Sequence, residues 1–261
     1  MNRNAPRPNE KADVPAAPGV LLRDRILPII SHDLRTPLNA IQTWTHVLEH
    51  RLLEFAPQKD AGAVRALAGI RAGVEQQVRL LDDLLDLTHA ISGKLDLVRQ
   101  PFELCSAAHA VVEAMRAEAQ KTDIRLACDC LGEPVTIVGD RVRVQQAIGK
   151  LLSMAVDRSV AGGTIAAVVR APSSAADPMA CVHIQFPERA SLNEPLANLA
   201  ETDFLDEATA HEAGLGFLLA RALVELHGGT IAARRRKEES PGTTVSIFLP
   251  RAGCLPGNWV A

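Results

Sequence analysis

Ser31-His32-Asp33-Leu34-Arg35-Thr36-Pro37-Leu38-Asn39-Ala40-Ile41 lies inside a periodic run that decides the first part of the fold. Leu27, Ser31, Leu34, Leu38, Ile41, Thr45, Leu48 and Leu52 recur at alternating steps of four and three, the spacing of a helix-bundle seam. His32 falls one position off that seam, beside the groove, where another molecule can reach it. A neutral imidazole has one donor and one acceptor nitrogen, so a carboxylate at Asp33 that takes the donor proton leaves the other nitrogen as a nucleophile. Thr36 follows His32 by one helical turn on the same face, where its hydroxyl can orient a water. Pro37 has no backbone N–H, which leaves the Asp33 carbonyl without its helical partner and is expected to bend or loosen the helix. A His-Asp pair alone would read as solvated surface; the whole string carries the argument.

Outward from this stretch, the helix is expected to run from Leu21 into the mid-fifties and to break at Ala56-Pro57 and Gln58-Lys59-Asp60. Leu67, Ile70, Val74, Gln77, Leu81, Leu84, Thr88 and Ile91 then repeat the same spacing. Two such helices form an antiparallel hairpin whose apolar stripes one chain leaves uncovered, and two hairpins about a two-fold axis make a four-helix bundle. A hairpin capped by the downstream residues is the alternative. Gly93 stops the second helix, and Leu95 to Phe102 reads as an extended connector.

The 261 residues are 47% hydrophobic, enough for one or two domains with aliphatic cores, since aromatics are 3% and Tyr is absent. A net charge of −3 with interspersed signs gives no nucleic-acid-binding face. No apolar run approaches the roughly 20 residues of a membrane span and no signal core opens the chain, so no membrane insertion is expected. Cys105, Cys128, Cys130, Cys181 and Cys254 include no C-x-x-C pair; free thiols, no metal site and a reducing, cytoplasmic setting are expected. Residues 1–19 read as a flexible tail and 252–261 as a C-terminal one.

Downstream, helices are expected at Leu104 to Thr122, Arg141 to Ser159 and Leu215 to Leu226. Strands are expected at Arg125 to Asp129, Val135 to Gly139, Thr164 to Arg170, Cys181 to Phe186, Thr230 to Arg234 and Thr243 to Leu249. The order implies a helical layer on one face of a mixed sheet.

The string from Ser31 to Ile41 resembles the H-box, S-H-[ED]-L-R-T-P-L-x-x-I, of the histidine kinases of bacterial two-component signalling. Leu80 to Leu87 and Ile91 to Leu95 resemble the end of the second helix of their dimerisation and phosphotransfer domain. The resemblance implies that His32 is the phosphoacceptor, that Asp33 assists proton transfer, and that Thr36 helps to dephosphorylate a partner. It also implies an α+β fold: a helical hairpin over 20–97 forming a dimeric four-helix bundle, then an α/β sandwich over 98–251 resembling the family's ATP-binding domain.

In that second domain the family's N-box, D-x-x-R-x-x-Q-x-x-x-N-L-x-x-N-A-x-K, is met by Asp140, Arg143, Gln146, Leu151 and Ala155. Lys150 and Met154 stand where the asparagines belong, and Asp157 where the lysine belongs. A thioether does not replace an oxygen ligand of a hard cation. Glu188 to Asn193 aligns with D-x-G-x-G-I without its glycines, leaving Glu188 as an adenine acceptor, and Phe204 stands as a remnant of the lid's aromatic box. Gly214 and Gly216 keep two glycines of G-x-G-L-G-L, and Leu223 to Gly229 follows in the family's style. The resemblance thus implies a dimeric protein whose His32 passes phosphoryl to an aspartate of a response-regulator receiver domain. Two alternatives stay open: an active autokinase using ATP and Mg²⁺ in an atypical site, and a non-catalytic regulator that binds a kinase or response regulator.

Overall fold

The computed structural model describes residues 27–54, 61–171, 178–188, 207–236 and 242–252. The N-terminal tail, Phe204 and Cys254 lie outside the described residues. Helix α1 (Leu27–Glu54) and helix α2 (Ala61–Ile91) form the hairpin. α1 stays helical through Pro37, which is buried. Small residues on α2 set how closely the helices approach. A Cβ added at Gly73 would lie 2.7 Å from Ile41 Cγ1 and 3.3 Å from the Pro37 carbonyl oxygen, and one at Gly69 would enter the Trp44 ring. α2 stops where expected: Lys94 N–H bonds the His89 carbonyl at 2.9 Å, and Gly93 takes φ 67°.

The connector, expected to be extended, ends in strand β1 (Gln100–Glu103). It pairs antiparallel with β3 (Thr136–Gly139), Phe102 opposite Ile137, and both rings and methyls enter the core. Between them run helix α3 (Leu104–Lys121) and strand β2 (Arg125–Leu131). Helix α4 (Arg141–Arg158), strands β4 (Thr164–Arg170) and β5 (Met179–Phe186), helix α5 (Glu207–Leu226) and strands β6 (Thr230–Arg236) and β7 (Gly242–Pro250) complete the order.

A five-stranded sheet in the order β2-β4-β5-β7-β6 is parallel only between β2 and β4. β5 shows why the helices lie on one face: Ala180, Val182, Ile184 and Phe186 are buried, while Cys181, His183 and Gln185 alternate to the other side. Ile148, Leu151, Leu152 and Ala155 of α4 and Leu215, Leu219 and Leu223 of α5 share that core. Full burial of each leucine contributes about 2 kcal/mol. α5 begins eight residues before the expected start, but Gly214 (φ 74°, ψ 166°) breaks it, so regular helix still starts at Leu215.

Cysteine pairing departs from expectation. Cys105 of α3 and Cys130 of β2 form a disulfide, because helix and strand bring their α carbons within 6.1 Å. The strand alternation that puts Cys128 and Cys130 on one face says nothing of a helix packed over it. Among the described residues no helix is long and apolar enough to cross a membrane.

Gly229 ends the turn between α5 and β6, and a Cβ there would collide with the Phe248 carbonyl oxygen of β7 and lie 2.9 Å from Val224 Cγ1. Gly229→Ala is expected to destabilise folding by about 1–3 kcal/mol, measured as a lowered urea midpoint with unchanged slope.

Candidate functional site

His32, Asp33 and Thr36 occupy one turn of α1, and their side chains lie outside the described residues. Helical geometry puts His32 and Thr36 on one face, and the next residue, Pro37, packs toward α2, its carbonyl oxygen 3.3 Å from where a Cβ at Gly73 would lie.

The second region is the face of α4 that resembles the N-box. Arg143, Gln146 and Lys150, at spacings of three and four, form one stripe, and the stripe meets α2. Arg143 Nη1 and Gln146 Nε2 both donate to Asp86 Oδ2, at 2.8 Å and 2.7 Å. Arg143 also donates to Gln146 Oε1 at 2.8 Å. Lys150 Nζ donates to Asp83 Oδ2 at 2.6 Å, with side chains only 25% and 11% exposed. Burial raises the Asp83 pKa above the ordinary carboxylate range; the hydrogen bond and charge of Lys150 pull against it, and Asp86 and Asp82 add to it. Leu80, Leu84, Leu87 and Ile91 of α2 pack on the domain core around these polar contacts.

The Lys150 stem runs past the glycine-rich turn: a Cβ added at Gly216 would lie 3.6 Å from Lys150 Cδ. Among the described residues nothing lies within 4 Å of where a Cβ at Gly214 would stand, and Gly214 takes a positive φ of 74°. Glu188 has both carboxylate oxygens engaged inside the domain. Arg158 Nε donates to Oε1 at 3.3 Å and Thr243 Oγ1 to Oε2 at 2.5 Å, and a backbone bridge joins Glu188 to Ser159. Met154 packs against the hydrophobic core.

These residues do not fit a magnesium nucleotide. Of the two asparagine positions, the second, which the resemblance marks for the metal, holds a thioether turned to the core, and the first holds an ammonium already bound to Asp83. Among the described residues no group of three His, Cys, Asp or Glu side chains is placed to hold a metal ion. No step through magnesium ATP follows from this pocket.

One site residue went unassigned in the sequence reading. His227 is buried, and its Nε2 accepts from the Asp140 backbone N–H at 3.0 Å while Nδ1 lies 2.7 Å from the Leu223 carbonyl oxygen. A carbonyl only accepts, so Nδ1 carries the proton and the ring is neutral. Gly139 makes room, since a Cβ there would lie 2.6 Å from His227 Cδ2. The Asp140 side chain then caps α4, its Oδ1 accepting from the backbone N–H of Val142 at 3.0 Å and of Arg143 at 3.1 Å. Such a cap is worth about 1 kcal/mol. The sequence signal was present in His227-Gly228-Gly229 and Gly139-Asp140, but pairing them needed the third dimension. Asp83 and Asp86 were likewise quoted only as part of a resemblance.

Comparisons with known proteins fit this geometry. Residues 22–93 match the family model described as the His Kinase A (phospho-acceptor) domain. Residues 139–253 match that described as the Histidine kinase-, DNA gyrase B-, and HSP90-like ATPase. The chain is 27% identical over 231 residues to the Histidine protein kinase DivJ of Caulobacter vibrioides, covering 87% of this chain and 37% of that protein. It thus spans less than half the length of this curated relative. The fold is similar to that of Acinetobacter baumannii histidine kinase AdeS, with TM-score 0.61 and 19% identity over 84% of this chain and 97% of that one. It is also similar to histidine kinase ThkA in its complex with the response regulator TrrA, with TM-score 0.58 and 17% identity over 89% and 62% of the two chains.

Two predictions follow from the buried polar groups. Lys150→Met leaves Asp83 buried without its cation and is expected to cost about 3 kcal/mol in urea unfolding, whereas Asp83→Asn, which removes the buried charge, costs less. His227 has its pKa lowered from 6.5, first by burial and then by the charge of Arg99, against the opposing pull of the Leu223 carbonyl and of Asp140. A depressed folded pKa gives stability that is complete above 6.5 and lost as pH falls through the folded value. Unfolding free energy should therefore decline on acidification below pH 6.5, and His227→Gln should flatten that slope.

Proposed function

Because the chain belongs to the two-component sensor histidine kinase family, we propose that it works as a phosphoryl carrier, His32 exchanging the group with an aspartate of a response-regulator receiver domain. The observation that carries this reading is the Lys150–Asp83 ion pair at 2.6 Å. It ties down the residue at the first asparagine position of the N-box, and a thioether, Met154, stands at the second, which the resemblance marks for the metal, while the helical string from Ser31 to Ile41 keeps every element of the phosphoacceptor motif. Phosphoryl transfer depends on positioning and on stabilising charge at the moving group, and losing one such stabiliser can cost about a hundredfold in rate. Exchange with a receiver makes no demand on the second domain's own metal site.

In the forward step the acceptor nitrogen of His32 attacks the phosphorus of the aspartyl phosphate. The N–P bond forms, the P–O bond to the receiver's aspartate breaks, and the carboxylate leaves. Asp33 is the residue we assign to take the other ring proton. The reverse step returns the group with imidazole leaving, and Thr36 orients a water where the phosphoryl is hydrolysed. Glu188, Gly214 and Gly216 are the residues we assign to any nucleotide contact, and for Glu188 that contact requires release from Arg158 and Thr243.

The carrier acts as a homodimer. Leu67, Val74 and Leu81, with Val64, Val78 and Leu85, are exposed at heptad spacing along α2 of a single chain. A second hairpin covers that stripe, while the chain's own α/β domain covers Leu80, Leu84 and Leu87. Boundaries near 20–97 and 98–251 and a cytoplasmic location belong to the same proposal. The Cys105–Cys130 bond is the feature at odds with a reducing compartment.

Incubation with a phosphorylated receiver domain is expected to label this protein, and His32→Gln to abolish the label. Incubation with γ-labelled ATP and magnesium should leave it unlabelled. Label from ATP on His32 would establish the autokinase reading instead, and no label from either donor, with His32→Gln still active in the cell, the non-catalytic regulator.

A further inference from the structure

On the face of the sheet turned away from the helices, three side chains meet that play no part in the functions above. Cys181 and His183 alternate on β5 and so share that face, and Ser246 of β7 stands directly opposite His183 in the strand register. Cys181 Sγ lies 3.2 Å from His183 Nε2, and His183 Nδ1 lies 2.8 Å from Ser246 Oγ. The Phe248 ring stands edge-on to the imidazole, its centroid 6.4 Å away. Cys181 is reduced and half-exposed, and Ser246 is 9% exposed.

The Cys181 thiol has His183 Nε2 in reach at 3.2 Å and, more loosely, the Arg170 carbonyl oxygen at 3.8 Å. A thiol donates better than its sulfur accepts, so with its proton toward the nearer Nε2 the ring carries its own on Nδ1 and donates it to Ser246. The strand pairing that sets this order is rigid, with Ser246 in the ladder and Cys181 opposite Arg170 of β4. Burial, followed by the charge of Arg170, pushes the His183 pKa down, which keeps the imidazole neutral and able to take a proton at neutral pH. Nucleophile, base and a third group that orients the base form the arrangement that activates weak nucleophiles. The neighbouring strand N–H groups are spent in the β4–β5 and β5–β7 ladders, so no oxyanion of an acyl transfer would be held here. A peroxide asks for less: a thiolate and one proton for its leaving oxygen.

We propose that Cys181, His183 and Ser246 form a base-assisted thiol site that is oxidised by hydrogen peroxide to the sulfenic acid. His183 Nε2 takes the Sγ proton, the thiolate attacks one peroxide oxygen, the S–O bond forms and the O–O bond breaks. Sulfur gives up two electrons, peroxide is reduced, and the departing hydroxide takes the proton back from Nε2 to leave as water. Cys128 of β2 is the built-in comparison, since burial, then the charges of Asp129 and Glu113, push its thiol up and away from ionisation.

The full chain is treated with hydrogen peroxide at pH 7, trapped with dimedone, and read peptide by peptide in a mass spectrometer, with iodoacetamide rates followed against pH in parallel. Cys181 is expected to react at least about tenfold faster than Cys128, and His183→Gln to lower the Cys181 rates about tenfold with Cys128 unchanged. Ser246→Ala keeps the imidazole and should shift the pH profile of Cys181 alone, which serves where His183→Gln does not fold. Equal rates for the two cysteines, or a Cys181 profile unmoved by either folded variant, would overturn the proposal.

Discussion

Two carboxylates three residues apart on α2, Asp83 and Asp86, hold the α/β domain against the hairpin. Each meets its partner on α4 within 2.8 Å, and an apolar ring of Leu80, Leu84, Leu87 and Ile91 closes around them. Apolar burial supplies the attraction and the ion pairs set the register, because a shift of one turn would strand a half-buried charge. The relation between the two halves of the molecule rests on this contact.

The contact depends in turn on how α4 begins. His227 holds the Asp140 backbone, Asp140 Oδ1 caps the helix, and Asp140 Oδ2 accepts from Val98 N–H at 3.1 Å in the connector. Arg99 Nη2 donates to the Leu226 carbonyl at 3.0 Å. The connector is thereby tied to the start of α4 and the end of α5 together. The histidine-glycine-glycine turn serves to aim α4 and the stripe of Arg143, Gln146 and Lys150 that it carries.

Substitution of Lys150 into this stripe changes what the stripe does. An amide at that position would face the glycine-rich turn with no charge to satisfy. An ammonium needs an anion, and Asp83, one helix away, supplies it. The α4 stripe thus forms an interdomain surface, with its cation neutralised from within the chain.

Periodicity was enough to read the hairpin, the order of the remaining helices and strands, and the layer arrangement, because each rests on local spacing of apolar side chains. The roles of His32, Asp33 and Thr36 rest on something else, the resemblance of one short string to a family motif, and not on apolar spacing. The stop at Gly93 could be read as a glycine ending a helix. The pairing of β1 with β3 could not, since a four-residue strand with one buried position, Phe102, carries no alternation of its own. What tertiary structure alone decided are the meetings of groups far apart in the chain: Asp83 with Lys150, His227 with Asp140, Cys105 with Cys130, Cys181 and His183 with Ser246. Such pairs leave no periodic trace, because whether a charge, an imidazole or a thiol finds its partner depends on distances that only packing sets.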